Sequence, residues 1–281
     1  MTEQEIYTTV AVPRRGPADG RTALPVRRAD RRRGAAGAAA LAAATALLLP
    51  TAGCRAELPD QGFVLRYEKP AAADRDGSRF LKDRALAEST LADLNAYVDL
   101  PYRVTVVARS CAGEGSGYDP AGHRIELCYD DLAEERELFE RGESRNPDED
   151  LSEVVRETLL HEAGHALVDA LDLPDEGERA EEDAADRFAQ LMLLRGDPEG
   201  EGTLLTAARA YDLAAAADPT PDPADEHAPP ATRAESHRCA VYGASPARHP
   251  DLATPSRTDC AATWTRTRDA WLKDLEPLLR A

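Results

Sequence analysis

Two histidines four residues apart, His161 and His165, and the glutamate between them are the residues of this sequence best suited to chemistry. On a helix, positions i and i+4 share a face, so both imidazoles can bind one metal ion. Glu162 then lies beside the metal, where its carboxylate can act as general base on a zinc-bound water. This H-E-x-x-H spacing predicts a zinc hydrolase, and only six histidines in the chain make a chance match uncommon.

The helix that carries the motif is predicted from its ends and its apolar positions. Asp150 and Glu153 form a capping-box-like start, and Pro174 sets the end. Between them, one stripe at helical spacing contains Leu151, Val154, Thr158, His161, His165 and Val168. The histidines therefore face the interior, where a shared metal ion relieves the cost of burying two imidazoles. The alternative is a pair of core histidines satisfied by hydrogen bonds alone.

A catalytic zinc site takes three protein ligands, so one more must come from elsewhere in the chain. Leu171 stands where the H-x-x-G-x-x-H arrangement of a metzincin would place a third histidine, so that arrangement is absent. An acidic run, Glu181-Glu182-Asp183, instead opens a second predicted helix over residues 181–195. This helix is therefore the expected source of the third ligand.

On that second helix, Glu181 and Glu182 flank the apolar face, while the opposite face carries Asp183, Arg187 and Gln190. We predict Glu182 as the third ligand, with Glu181 as the alternative. Asp186, one turn later, is expected to accept a hydrogen bond from the far nitrogen of a ligand histidine. Stabilisation of a helix N-terminus by negative charge would explain the glutamates without a metal, but not Asp186.

An oxyanion formed during hydrolysis needs a hydrogen-bond donor, and His227 is the candidate. It follows Asp225 and Glu226 in a loop rich in proline and aspartate, residues 218–230, which can close over a cleft. The alternative is an ordinary surface histidine. The sequence offers two weaker candidates, Tyr129 and Tyr242, and three histidines interpreted as surface residues, His123, His237 and His249.

Several segments are expected to position these residues. Residues 63–67, 102–108 and 124–129 have the alternation or β-branched content of strands. Residues 79–98 and 131–140 have helical spacing. The glycine-rich stretch between the last two strands is interpreted as a loop.

Four cysteines, Cys111, Cys128, Cys239 and Cys260, allow three disulfide connectivities in an exported chain. We predict the local pairs Cys111–Cys128 and Cys239–Cys260, because each pair brackets a short, turn-rich segment. No C-x-x-C spacing supports a cysteine zinc site.

The N-terminal residues 1–54 are predicted to be an export segment, followed by one domain over residues 55–281. An arginine-rich stretch precedes an apolar run from Ala35 to Leu49, too short for a bilayer span of about 20 residues but suited to a signal peptide. Thr51-Ala52-Gly53-Cys54 resembles a lipoprotein processing site, although Thr51 departs from the usual leucine. We therefore predict an extracellular or cell-envelope location, with lipid on Cys54 as the only expected membrane anchor.

The charge of the chain excludes some classes of partner. With 34 basic and 52 acidic side chains, the net charge is -18, and residues 1–53 hold 8 arginines against 4 acidic residues. An acidic surface disfavours nucleic acids and anionic membranes. We expect a soluble, monomeric domain.

The motifs together resemble the gluzincin branch of zinc peptidases and, more closely, a bacterial putative metallopeptidase domain family of unknown function. Three stretches carry this likeness: Cys111 to Tyr129, His161 to Leu194, and Asp225 to Cys260. Ala163, where such motifs often have leucine, is a departure.

The resemblance implies a zincin-like α+β fold, with a small mixed sheet over the H-E-x-x-H helix and a helical C-terminal part. An edge strand of the sheet would align a peptide substrate by backbone hydrogen bonds, and residues 124–129 are the candidate. The implied cofactor is Zn²⁺. The alternative function is a non-catalytic zinc-binding or peptide-binding envelope lipoprotein, or an envelope protein without metal. Glu162 counts against the non-catalytic binding protein, because a structural zinc site does not need that carboxylate. The envelope protein without metal differs in predicting no stoichiometric metal.

Overall fold

The computed structural model describes residues 60–196, 198–220, 222 and 224–280. The expected export segment and the lipidation site Cys54 lie outside these residues and stay predictions. No helix in the described part of the chain is long and apolar enough to cross a membrane.

The described chain forms a small sheet followed by a mostly helical half, as expected for a mixed α+β protein. In chain order the elements are β1 (Gly62–Tyr67), α1 (Arg75–Arg84), α2 (Leu86–Tyr97), β2 (Arg103–Arg109), β3 (Gly117–Asp119), β4 (Arg124–Cys128), α3 (Asp131–Arg141), α4 (Pro147–Ala170), α5 (Glu178–Leu194), α6 (Pro198–Ala217), α7 (Pro230–Ala244) and α8 (Cys260–Leu275). Two short 3₁₀ turns, Pro250–Leu252 and Pro255–Arg257, lie between α7 and α8.

The four strands form one mixed sheet in the order β1-β2-β4-β3. β1, β2 and β4 are parallel, and β3 is antiparallel to β4. The prediction that residues 124–129 form the edge strand is therefore wrong, because β3 covers that side of β4. No strand was predicted for β3, because its three residues are too few to show an alternating pattern.

The β3 hairpin is tied to the rest of the domain at both ends. The predicted Cys111–Cys128 disulfide closes it, with a Cα–Cα distance of 5.4 Å. The backbone N–H of Ser116 donates to Asp131 at 2.8 Å, and the hydroxyl of Tyr118 donates to Asp169 at 2.7 Å. Since Asp169 lies at the end of α4, these bonds hold the edge strand against the motif helix.

The motif helix α4 is central, packing against α2, α3, α5 and α6 and against β3 and β4. It begins at Pro147, without a side-chain cap, rather than at the predicted capping box, and it ends at Ala170. Asp150 instead accepts hydrogen bonds from Ser144 and Arg209. The predicted single apolar stripe was too narrow, because α4 is also buried at Leu159, Leu160, Ala163, Ala166 and Leu167.

The helix predicted over residues 79–98 is two helices, α1 and α2. Ala85 separates them with a left-handed φ of 51°, a conformation that no residue inside a continuous helix adopts. The prediction failed here because alanine carries no breaking signal.

A close approach between α4 and α5 brings the two predicted motif segments together. A Cβ atom at Gly164 would lie 2.8 Å from the Cα of Ala185, so only glycine fits at this crossing. The second predicted disulfide, Cys239–Cys260, links α7 to the start of α8, with a Cα–Cα distance of 5.1 Å. The helical C-terminal half is thereby tied together.

Candidate metal centre

His161 and His165 lie on α4 with their Nε2 atoms facing each other at 3.3 Å. Both residues are buried, at 4% and 9% exposure. Their Nδ1 atoms face outwards to carboxylates from α5, His161 to Asp186 at 2.9 Å and His165 to Glu181 at 2.9 Å. A neutral imidazole that donates its Nδ1 hydrogen to a carboxylate leaves a lone pair on Nε2. The two lone pairs therefore point into one space.

Glu182 closes that space from α5. Its Oε2 lies 3.1 Å from Nε2 of His161, and its Oε1 lies 3.3 Å from Nε2 of His165. The neighbouring Glu181 contacts only the outer nitrogen of His165, which places it behind a histidine rather than between the two. Asp183 faces away towards Arg187, as expected.

These three side chains fit a divalent metal ion. Donor atoms of His161, His165 and Glu182 all lie within 4.8 Å of one another. Two imidazole nitrogens and one carboxylate oxygen are a donor set that suits zinc. When both rings are neutral, their two lone pairs and the negative charge of Glu182 repel one another, and a proton or a metal cation between them removes that repulsion.

The electrostatic potential at this position favours positive charge. Burial lowers the pKa of the His161 imidazole, but the hydrogen bonds to Asp186 and Glu182 and the charge of Glu162 outweigh it, so the pKa rises to about 10. Burial opposes ionisation of Glu182, yet the histidines around it hold its pKa well below the usual range. The same carboxylates that favour a proton on His161 favour a metal cation.

Glu162 lies on α4 beside the two histidines and lines the same cleft. It is 6% exposed, and burial raises the pKa of its carboxyl, against the opposing effect of His161 and His165. A carboxyl with a raised pKa accepts and returns a proton more readily near neutral pH than an exposed one.

Sequence reasoning missed Arg233, which supports the site from α7. Its Nε donates to Asp186 Oδ2 at 3.0 Å, and its Nη2 lies 3.4 Å from Nδ1 of His161. Burial opposes ionisation of Asp186, but the hydrogen bond with His161 and the charge of Arg233 hold its pKa well below the usual range. Arg233 lies 47 residues from Asp186 in the chain, so no local spacing pointed to it.

His237 is not a surface residue, and the prediction for it is wrong. It is fully buried on α7, with Nε2 3.0 Å from Glu157 on α4 and Nδ1 3.1 Å from the amide nitrogen of Gln190 on α5. Gln190 therefore faces the core, also against expectation. The polar neighbours of His237 in the sequence suggested exposure, whereas its two partners come from other helices.

The other two histidines interpreted as surface residues are partly exposed. His123 contacts Asp169 at 3.2 Å, and His249 contacts Glu201 at 2.8 Å. Neither lines the cleft that contains His161 and His165.

His227 reaches the site from the loop before α7. Its Nε2 lies 2.9 Å from Glu182 Oε2, and its Nδ1 lies 3.3 Å from Asp225 Oδ1. Arg179 holds the loop by donating hydrogen bonds to the backbone carbonyls of Asp225 and Glu226, both at 2.7 Å. The two weaker donor candidates, Tyr129 and Tyr242, do not line the cleft.

The cleft above the site has a volume of about 230 Å³ and runs along β3. Ser116, Gly117 and Tyr118 line it together with both histidines, Glu162 and Glu182. β3 pairs with β4 on one side, and no strand among the described residues pairs with its other edge.

Comparison with known protein families bears on this arrangement. A family model described as "Putative metallopeptidase" matches residues 67–275, a range that contains every residue of the centre. No curated protein and no solved structure matches the chain.

Proposed function

Because the chain belongs to the putative metallopeptidase family, we propose that it hydrolyses peptide bonds with a zinc ion held by His161, His165 and Glu182. One observation carries the proposal: the inner nitrogens of both histidines and the Glu182 carboxylate converge, while Asp186 and Glu181 hold the outer nitrogens. Carboxylates behind metal-binding histidines orient the rings and increase their basicity.

A zinc ion in this site would supply Lewis-acid chemistry, polarising the scissile carbonyl and making water more acidic. Glu162 takes the proton from the attacking water and delivers it to the leaving amine. Its burial supports this role, since a desolvated carboxylate is a stronger base than a hydrated one. A purely structural zinc site does not need a buried carboxylate at this position.

His227 donates a hydrogen bond to the oxygen that becomes negative during hydrolysis. Asp225, at 3.3 Å from Nδ1, orients the ring, and Arg179 keeps the loop over the cleft. The Nε2 of His227 contacts Glu182 at 2.9 Å. In the proposed role, the Nε2–H turns to the substrate oxygen when a peptide binds.

The fold supports a zincin-like arrangement in which β3, rather than β4, aligns the substrate. β3 is antiparallel to its neighbour and lines the cleft, so an extended peptide adds to its open edge. The peptide backbone then passes directly above His161 and Glu162.

The first test is the metal content of the protein purified without added metal, measured by elemental mass spectrometry. We expect one zinc per chain in the wild type and in Glu162→Gln, and none in His161→Ala. A peptide-library screen then compares the wild type with Glu162→Gln. Protein that neither contains zinc nor binds it on titration contradicts the proposal.

A further inference from the structure

A second cavity, of about 240 Å³, opens beside Glu162 and His161. Pockets that take a whole small molecule start at about 300 Å³, so this one suits a single long side chain. Apolar side chains form much of its wall: Leu127, Leu132, Leu151, Val154 and Val155.

Three charged side chains that line this cavity outside the reacting centre are paired within the protein, and one buried carboxylate oxygen is an exception. The paired groups are Glu157 with His237, Arg233 with Asp186, and Asp131 with Ser116. The exception is Glu135 on α3, whose Oε2 is buried and has no hydrogen-bond donor within the described part of the chain. A buried polar atom without a partner is costly, which points to a partner that arrives with the ligand.

We infer that this cavity receives an arginine or lysine side chain of the substrate, with Glu135 as the partner of its cationic group. The inference rests on the proposed peptidase function and adds the class of substrate. The aliphatic stem of such a side chain packs on the leucine and valine wall, and its charged end reaches the carboxylate.

The charge inside the cavity supports a cationic ligand. Burial, together with the charges of Glu157, Asp131 and Glu134, raises the pKa of Glu135 to about 7. Ionising this carboxyl in the empty cavity therefore costs free energy, and a cation beside it offsets that cost.

The direction of β3 determines which substrate residue enters the cavity. Ser116, just before β3, lines the cavity, whereas Pro120, just after it, lines the groove on the other side of the cleft. A peptide antiparallel to β3, the commoner pairing, runs from Pro120 towards Ser116. Residues after the scissile bond then meet the cavity, on the side where Glu162 protonates the leaving amine. The predicted cleavage is therefore on the amino side of a basic residue.

The groove near Pro120 also favours basic peptides. Its volume is about 890 Å³, and six carboxylates line it against two arginines. Charge of one sign along a cleft raises the local concentration of oppositely charged ligands. Both sides of the scissile bond therefore attract cationic sequences.

The principal experiment is a peptide-library digest with products identified by mass spectrometry. We expect wild-type cleavage before arginine or lysine, and Glu135→Gln to lower kcat/KM for those peptides at least about tenfold, as expected for loss of a buried charge pair. Peptides with leucine at that position should change little. The matched control is Glu140→Gln, an exposed glutamate on the same helix, which should behave as wild type. Preference for an apolar residue, unchanged in Glu135→Gln, overturns the inference and leaves the proposed function intact.

A binding experiment tests the cavity without catalysis. Wild type, Glu135→Gln and Glu140→Gln are titrated with n-propylguanidinium, the isolated arginine side chain, and with n-pentanol as a neutral control. Guanidinium binding that Glu135→Gln abolishes supports the inference even where no peptide is cleaved, an outcome in which only the proposed function fails. Absent guanidinium binding, or binding equal in all three proteins, overturns the inference.

Discussion

Two clusters of buried histidines and carboxylates contact α4 one helical turn apart, and only one of them has the character of a metal site. In the first, the Nε2 atoms of His161 and His165 face each other and Glu182. In the second, both nitrogens of His237 are engaged, Nε2 with Glu157 and Nδ1 with Gln190. The residue types and burial are similar, and the direction of the ring nitrogens distinguishes the clusters.

Arg233 adds to this difference. Glu157, Asp186 and His237 also lie close enough together to bind a metal ion. The guanidinium of Arg233, however, already bonds both oxygens of Asp186, which places a positive charge at the second cluster. Proximity of histidines and carboxylates is therefore a weaker criterion for a metal site than the presence of lone pairs that no hydrogen bond engages.

The largest expected effect is a difference in kcat between variants of two buried glutamates of α4. Glu162→Gln should lower kcat by about 10²- to 10⁴-fold, because the general base is lost while metal binding stays. The matched variant Glu157→Gln should keep kcat near wild type and lower the Tm. Steady-state kinetics and thermal unfolding check this pair, and retained turnover in Glu162→Gln removes its catalytic role.

A stability effect is expected at the second cluster. His237→Ala leaves Glu157 buried without its partner, so the free energy of unfolding of the metal-free protein should fall by about 3 to 5 kcal/mol. Metal stoichiometry should not change, whereas His161→Ala should lose the metal. Urea unfolding and metal analysis on both variants test this. Loss of metal in His237→Ala would contradict the distinction between the two clusters.

A smaller effect concerns the carboxylates behind the ligand histidines. Asp186→Asn and Glu181→Gln should each weaken zinc affinity by about 10- to 100-fold, since each removes an anion that orients an imidazole. Asp183→Asn is the control, because Asp183 is paired with exposed Arg187 instead. Competition with a chromophoric chelator measures the affinities. If Glu181→Gln abolishes binding and Glu182→Ala does not, the third ligand is Glu181.

The smallest expected effect concerns the crossing of α4 and α5. Gly164→Ala places a methyl group against the backbone of Ala185, so the free energy of unfolding should fall by about 1 to 3 kcal/mol, with weaker zinc binding as α5 moves away. Gly202→Ala in α6 is the control, since its added Cβ has no neighbour within 4 Å beyond the adjoining backbone of its own helix. That variant should be stabilised by up to about 1 kcal/mol. Equal behaviour of the two variants would refute the close-packing argument.

Elements with a strong local pattern were predicted better than those without one. β1, β2 and β4 were expected from their alternating or β-branched residues, and both disulfides from their short spacing. β3 is too short for a pattern, and the break at Ala85 has no marker in the sequence. The edge strand was consequently assigned to the wrong segment.

The residues of the candidate metal centre also divide into those with a local sequence pattern and those without one. His161, Glu162 and His165 lie within one helical turn or so, and Glu182 and Asp186 within another, so helical geometry alone fixes their relative directions. The sequence could therefore predict these residues, although their roles as ligands and base stay proposals. His227 was proposed from its acidic neighbours, and the fold brings it to 2.9 Å from Glu182.

By itself the sequence determined two helices that carry the histidines and carboxylates of the candidate metal centre. It could do so because the 3.6-residue period is a local property that a few side chains reveal. Only the tertiary structure decided that Gly164 lets these helices meet, that β3 borders the cleft, and that Arg233 and His237 are buried beside them. It also decided that Glu135 lines the neighbouring cavity. These residues come from separate segments, and packing of the whole core determines which distant side chains meet.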